Sequence, residues 1–394
     1  MTTPNQKLGN VAQINPRPSQ FPQPDEIVSF AGMADLDAQQ GSITQSVLRP
    51  FSEVCKGYTP FEARDILVAK ITPCFENCKI GEASIPLDVG YGSTEFHVIR
   101  PLPTRLDRRY LLHFLRQERV LKAGERRMTG SAGQKRVPVS FFEELEIPLP
   151  PLEEQRRIAA ILDRAGNLGQ HAKEQLFIAK NLLASLFVET IGDPLNPPHD
   201  WTTLPLAESV QAGTDVTYGI VQAGEEYPGG VPYIRTGDIV DGEIDVSALR
   251  HTNPAIARRF TRSMVRAGEI VMSIRATVGT TAVVPVCLDG ANLTQGTARV
   301  APGDNVNGVY LLQYLRMPST QAWIQRQVKG ATFREITLAR LRELPVLIPP
   351  MAIQDEFAVK AKIANSVIGS SKVLLGRIEN LSQSLCNQLL GRKY

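Results

Sequence analysis

The chain has 394 residues, 43% hydrophobic and 21% charged, with a formal net charge of +3, so it is a folded, soluble protein too long for one hydrophobic core, and at least two globular units are expected. No apolar run reaches membrane-spanning length and the start, MTTPNQKLGN, lacks a charged segment followed by an apolar one, which points to the cytoplasm and away from a membrane. Five cysteines, an odd number without paired CxxC spacing, indicate neither a disulfide framework nor a zinc site.

In chain order, Asp65 to Ile71 and Glu95 to Ile99 are short apolar or β-branched runs bounded by Gly and Pro, and read as strands. Lys70 finishes the first of them, with Thr72 beside it. Tyr110 to Met128 is longer and suits a helix. The segment from Arg100 to Arg136 holds eleven Lys/Arg against three acids, a basic stretch able to neutralise the phosphates of a polyanion. It ends in Gly130 to Arg136, GSAGQKR. There the glycines let backbone approach a ligand, Gln134 can hydrogen-bond a base edge, and Lys135 and Arg136 can take phosphates.

After Pro151, apolar or small residues recur in alternating steps of four and three: Ile158, Leu162, Ala165, Gly169, Ala172, Leu176, Ala179, Leu183 and Leu186. That stepping is a heptad seam on a helix of roughly 35 to 40 residues, about 55 to 60 Å long. The paired prolines before it define its start. Asn196-Pro197-Pro198-His199 follows. It reads as a linker, although an Asn-Pro-Pro-aromatic tetrapeptide also marks amino-group methyltransferases that grip a flipped base.

The second half repeats the first. Strands are expected at Glu269 to Ile274 and Thr281 to Val286, and a helix at Tyr310 to Val328. From Arg250 to Arg275 six arginines face the single acid Glu269. YLLHFLR at Tyr110 is answered by YLLQYLR at Tyr310, 200 residues later. With a one-residue gap, the stretch from Gly130 aligns with GATFREITLARLRELPVLIPPMAIQ from Gly330, pairing Gln155 with Gln354. A second seam follows Pro350 with the same stepping: Phe357, Ala361, Ala364, Ile368, Ser371, Leu375, Ile378, Ser382, Leu385 and Leu389. Two such seams are most economically satisfied by each other, and the small residues on both would let the axes approach closely. The fold expected is mixed α/β with largely antiparallel sheets: two globular domains joined by two long antiparallel coiled-coil helices as a pseudo-two-fold repeat.

No catalytic centre is legible. GxxxxGK[ST], HExxH and GxSxG are all missing, and the five histidines are scattered. No glycine-rich turn after a strand precedes the Asn196 tetrapeptide to hold S-adenosylmethionine.

ILVAKITPCFENCKIG (Ile66 to Gly81), GYGSTEFHVIRP (Gly90 to Pro101), the Gly-Gln-Lys-Arg loop and IPLPPLEEQRRIAAILD (Ile147 to Asp163) make the chain resemble the specificity subunits (HsdS) of type I restriction-modification systems. The resemblance implies target-recognition domains at 1–150 and 193–348, and spacer helices at 151–192 and 349–394, packed through Ile158, Leu162, Leu176, Leu183 and Leu186 against Phe357, Ile368, Leu375, Ile378 and Leu385. It implies double-stranded DNA as ligand and two modification subunits as partners, which would carry S-adenosylmethionine and methylate adenine, with restriction motor-nuclease subunits adding cleavage. The chain itself would hold no cofactor and no metal. Candidate DNA contacts are Lys70, Thr72, Ser93, Thr94, Gly133, Gln134, Lys135 and Arg136 in the first copy, and Arg258, Arg259, Arg262, Arg275, Thr332, Phe333 and Arg334 in the second. Two other readings remain open at this point: a self-contained adenine methyltransferase with a recognition domain, and a coiled-coil scaffold.

Overall fold

The computed structural model describes residues 4–19, 21–130, 133–197, 200–330 and 333–391. The chain divides into two compact units: one formed by the chain up to Lys173 together with the segment from Leu374 onward, the other by Glu174–Val373. Both divisions fall inside the long helices, so each unit contains a piece of both.

In the first unit a six-stranded sheet runs Ala12–Ile14, Phe96–Pro101, Ile66–Ala69, Ile80–Glu82, Ser42–Ile43, Leu36–Asp37. The strand Ile66–Ala69 is buried at every residue because both faces of the sheet are covered. Successive side chains point to opposite faces: Ile66 and Val68 join the core formed with the helices, whereas Leu67 packs with Phe96 and Val98 on the other side. A four-stranded sheet (Val47–Pro50, Ile27–Ala31, Val89–Gly92, Thr59–Glu62) and the antiparallel pair Asn5–Lys7 with Glu146–Pro148 complete the unit's main sheets.

The second unit reuses the plan. Ile270–Ser273 lies between Thr297–Val300 and Thr281–Val283, with Ile270 and Met272 in the helix-side core and Val271 in the core behind it. Thr202–Pro205 pairs antiparallel with Pro345–Ile348. Most pairings in both units are antiparallel, with parallel exceptions such as Val89–Gly92 on Ile27–Ala31 and Val231–Ile234 on Asn292–Leu293.

Two expectations need correction. Tyr110 to Met128 is not one helix but two, Arg108–Leu115 and Glu118–Arg127, and Tyr310 to Val328 likewise splits into Gly308–Arg316 and Pro318–Gln327. In the second copy Pro318 opens a new helix and forces Met317 into an extended conformation. In the first, Gln117 takes the same extended conformation with its amide donating to Phe114 O. The strand from Thr281 also stops at Val283, and Pro285 precedes a 3-10 turn, Val286–Leu288.

The two long helices, Leu152–Ile191 and Met351–Leu390, have 40 residues each, and inside each unit their segments run antiparallel. In the first unit Ile158 and Leu162 share a core with Leu390, flanked by Leu385 and Leu389, and Ile378 lies opposite Gly169. In the second, Leu183 joins Phe357, Ala361, Ala364 and Ile368, with Leu176 and Leu186 packed at the edge. The seam drifts by one residue at its end: Phe187, not Leu186, is fully buried, with its ring 5.6 Å from Tyr310 and 5.1 Å from Phe357. A straight α-helix drifts by about 20° per heptad against a strict seven-residue repeat, so the four heptads from Ile158 to Leu186 accumulate about 80°, close to the 100° that separates neighbouring residues. Leu375 is half-buried and belongs to neither core.

Candidate nucleic-acid interface

The frame that carries the candidate sites is built twice from the same hydrogen bonds. The buried Gln155 accepts from Asp107 N (2.8 Å) and donates to Arg105 O (3.0 Å) and Pro150 O (2.8 Å). Gln354, also buried, accepts from Asn307 N (2.9 Å) and donates to Asn305 O (3.1 Å) and Pro349 O (2.8 Å). Tyr110 Oη donates to Pro148 O and Tyr310 Oη to Leu347 O, both at 2.8 Å. Arg116 donates to the carbonyls of Ile80 and Ala38, and Arg316 to those of Gly242 and Thr281. Pairing Gln155 with Gln354 was legible in the sequence; their work as clamps between a long helix and the loop before a short one was not.

This frame brings three separate segments of the first unit together. Lys70 N donates to Glu95 O (2.8 Å), and Lys70 O accepts from Val137 N (2.8 Å). Thr72 N donates to Lys135 O (3.0 Å), and Thr72 Oγ1 to Gly133 O (2.7 Å). Thr129 and Arg136 exchange both backbone hydrogen bonds and so close the loop. Lys70, Thr72, Gly133, Lys135 and Arg136 are thereby assembled, with Ser93 and Thr94 adjoining through Glu95, whose N–H donates to Ser93 Oγ (3.2 Å). Gly130 has φ +132°, and a Cβ there would lie 2.5 Å from Gln134 O, so the loop can close only on glycine. Gln134 and Lys135 are exposed, and among the described residues the Lys135 ammonium has no partner.

Arg136 is engaged otherwise than expected. Its guanidinium holds Glu95 in a bidentate pair, with Nε 2.9 Å from Oε2 and Nη2 2.8 Å from Oε1. Hydrogen bonding from Arg136 outweighs desolvation and lowers the Glu95 pKa. Behind the pair, burial pushes the pKa of His97 down; its ring nitrogens face Val137 O and Asn15 Nδ2.

The second loop is one residue shorter and stitched the same way. Lys329 and Glu335 exchange both backbone bonds, Ala276 N donates to Arg334 O (3.0 Å), and Ile336 N to Ile274 O (3.0 Å). Gly330 has φ +86°, and a Cβ would meet Phe333 O at 2.2 Å. Arg334 bonds Gln325, and Phe333 is 89% exposed. Thr332 lies outside the described residues, as does His199 of the Asn196 tetrapeptide. Asp193 to Asn196 forms a turn directly after the helix. The shared stitching makes Arg275 the counterpart of Ile71, and Ile274 that of Lys70.

The two arginine groups of the second unit do not converge. Arg258, Arg259 and Arg262 lie on the 3-10 segment Arg258–Ser263 and are exposed with no side-chain partner among the described residues. That segment is tied through Arg262 O to Arg299, whose guanidinium pairs with Glu269 ahead of the strand Ile270–Ser273. Arg275 and the loop sit at the strand's other end.

The basic stretch from Arg100 to Arg136 is also not a free phosphate-binding surface. Arg100 pairs with Glu62 and Asp65, Arg109 with Asp163, Lys122 with Glu118, Arg127 with Glu144 and Arg136 with Glu95, while Arg119 donates to Leu390 O. Charge counting along the chain missed acids supplied by distant segments. Among the described residues, no cluster of three or more His, Cys, Asp or Glu could hold a metal, and no helix is long and apolar enough to cross a membrane.

The chain matches the family of type I restriction modification DNA specificity domains at residues 5–176 and again at 198–360. It belongs to that family, with the domain present twice. Over 193 residues it is 45% identical to the type I restriction enzyme EcoAI specificity subunit of Escherichia coli, covering 48% of this chain and 33% of that protein. The EcoEI specificity subunit of the same organism is 37% identical over 193 residues, 48% of this chain and 32% of that one. The matched part thus spans about a third of either relative. The type I restriction-modification S subunit of M. genitalium shares the fold, with a TM-score of 0.56 and 14% identity over 99% of this chain and 96% of the other. A chain from a type I R-M system structure does likewise, with a TM-score of 0.57 and 19% identity over 98% and 97%.

Proposed function

We propose that this chain is the DNA-reading subunit of a type I restriction-modification complex, acting in the cytoplasm and without a catalytic centre of its own. Each compact unit reads one part of a split duplex site. Partner modification subunits, two per chain, bind S-adenosylmethionine and methylate adenine, and motor-nuclease subunits add cleavage. The long helices serve as spacer.

The observation that carries this reading is the glycine-closed loop, found twice on the same hydrogen-bonded frame and offering an exposed cation each time, Lys135 and Arg334. Glycine-closed backbone beside a cation suits phosphate contact, and neighbouring variable side chains suit base reading. Arg258, Arg259 and Arg262 extend the basic surface of the second unit. Relatives named as specificity subunits favour this reading over a self-contained methyltransferase.

Mapping methylated adenines in cells with and without the chain tests it. The expected result is one bipartite motif whose methylation requires both this chain and its modification partners. Methyl transfer by the purified chain alone, or a motif that persists without the chain, overturns it.

A further inference from the structure

The residue that closes each loop carries opposite charge in the two copies. Arg136 closes the first and Glu335 the second, each through the same backbone exchange, with Thr129 and Lys329 respectively. Each then meets its opposite on the sheet of its own unit. Arg136 holds Glu95 bidentately, with side chains 42% and 25% exposed; Glu335 meets Arg275 at 3.2 Å. The contact has been rebuilt from different partners, since Glu95 begins the stretch leading into Phe96–Pro101, whereas Arg275 follows Ile270–Ser273.

An acid and a base at one structural position cannot share an attraction for phosphate. What they share is an ion pair to the neighbouring strand end. A guanidinium committed bidentately to a carboxylate has also lost the fork of donors and the net charge that a phosphate would use. We propose that Arg136–Glu95 and Glu335–Arg275 are latches: Arg136 and Glu335 are positioning residues that hold the loops in the shape presenting Lys135 and Arg334 to the duplex, and neither side chain is itself the DNA ligand. This rests on the DNA-specificity reading above. The second latch is the looser, being single-stranded in its hydrogen bonding and leaving Arg275 Nε buried without a partner among the described residues.

The test is charge exchange. Full-length chains carrying Glu95→Gln, Arg136→Glu, or Glu95→Arg with Arg136→Glu are compared by amide hydrogen exchange across residues 129–137 in the free chain. Duplex binding and adenine methylation are then measured in complex with the modification subunits. Each single change is expected to raise loop exchange and to weaken reading of the first half-site by about fivefold, the upper range for a well-aligned exposed pair. The double exchange recovers both, and its log–log salt slope matches wild type because no phosphate contact is lost. Arg275→Glu with Glu335→Arg gives the same pattern, in smaller measure, at the second half-site. If the double exchange restores loop protection but reads as poorly as Arg136→Glu, with a slope reduced by about one unit, Arg136 is a direct phosphate ligand and the proposal is overturned. A wild-type complex that selects no duplex overturns the DNA reading instead, and the free-chain exchange data keep the two failures separate.

Discussion

At the place where a long helix meets the first short helix, the two units fill the same frame with different chemistry. In the first, Asp163 takes hydrogen bonds from Arg109 (Nη2 2.6 Å) and His113 (Nε2 2.7 Å), and Arg109 also faces Glu82. In the second, the corresponding residues are Lys362, Val309, Gln313 and Val283. A cavity of about 750 Å³ opens there, lined among others by Val283, Gln313 and Arg316. Gln313 is buried, and among the described residues its side chain makes only a 3.8 Å contact to Met317 Sδ. The clamps Gln155 and Gln354, Tyr110 and Tyr310, Arg116 and Arg316 are nevertheless repeated almost bond for bond. Groups that bind backbone were kept because backbone geometry is common to both copies, whereas side chains that bind side chains could change in concert.

The sharpest test of that comparison lies where the helices cross-pack. Phe187 fills the second unit against Tyr310 and Phe357; its counterpart in the repeat is Cys386, which packs partly buried against the core of the first unit. Phe187→Ala should cost about 4 kcal/mol, and Cys386→Ala about 1 kcal/mol. Hydrogen exchange resolved by unit would register each loss in its own unit, and comparable losses would contradict the difference in packing.

The glutamine clamps should behave alike where the fillings do not. Gln155→Ala and Gln354→Ala each leave buried backbone groups without partners, costing about 1 to 3 kcal/mol. Denaturation of the single variants would reveal near-equal losses; a loss confined to one would show that the frame has diverged as well.

The smallest effect expected is a greater acid sensitivity of the first unit's helix Arg108–Leu115 than of its counterpart Gly308–Arg316. Burial alone would raise the Asp163 pKa, but the hydrogen bonds and charges of His113 and Arg109 outweigh it and hold the carboxyl well below its ordinary range. A carboxyl whose folded pKa is depressed contributes stability that is complete above its unfolded value, about 3.9, and is lost as pH falls below it. Exchange protection of Arg108–Leu115 should therefore decline from about pH 4 downward, more steeply than that of Gly308–Arg316, and Asp163→Asn should remove the difference. Equal acid profiles in the two helices would show that the network does not distinguish the units.

Periodicity and repetition were enough to read the architecture. Apolar steps of three and four require long helices, and near-identical segments such as YLLHFLR and YLLQYLR require a duplicated unit, because both signals are local in the chain. The sequence also singled out Lys70, Thr72 and the loop from Gly130, since glycine and charge are visible residue by residue. What it could not supply was partnership. Arg136 appeared as a free cation because Glu95 stands 41 positions away; the basic stretch appeared unneutralised because, apart from the local Lys122–Glu118 pair, the acids that meet it, such as Glu62, Asp65, Glu144 and Asp163, lie outside it along the chain. Phe187 displaced Leu186 from the core because helical drift accumulates over many turns, and only the packed neighbours determine which residue finally faces inward. Tertiary structure decided which charges remain available for a ligand, because an ion pair depends on distance in space and not on separation along the chain.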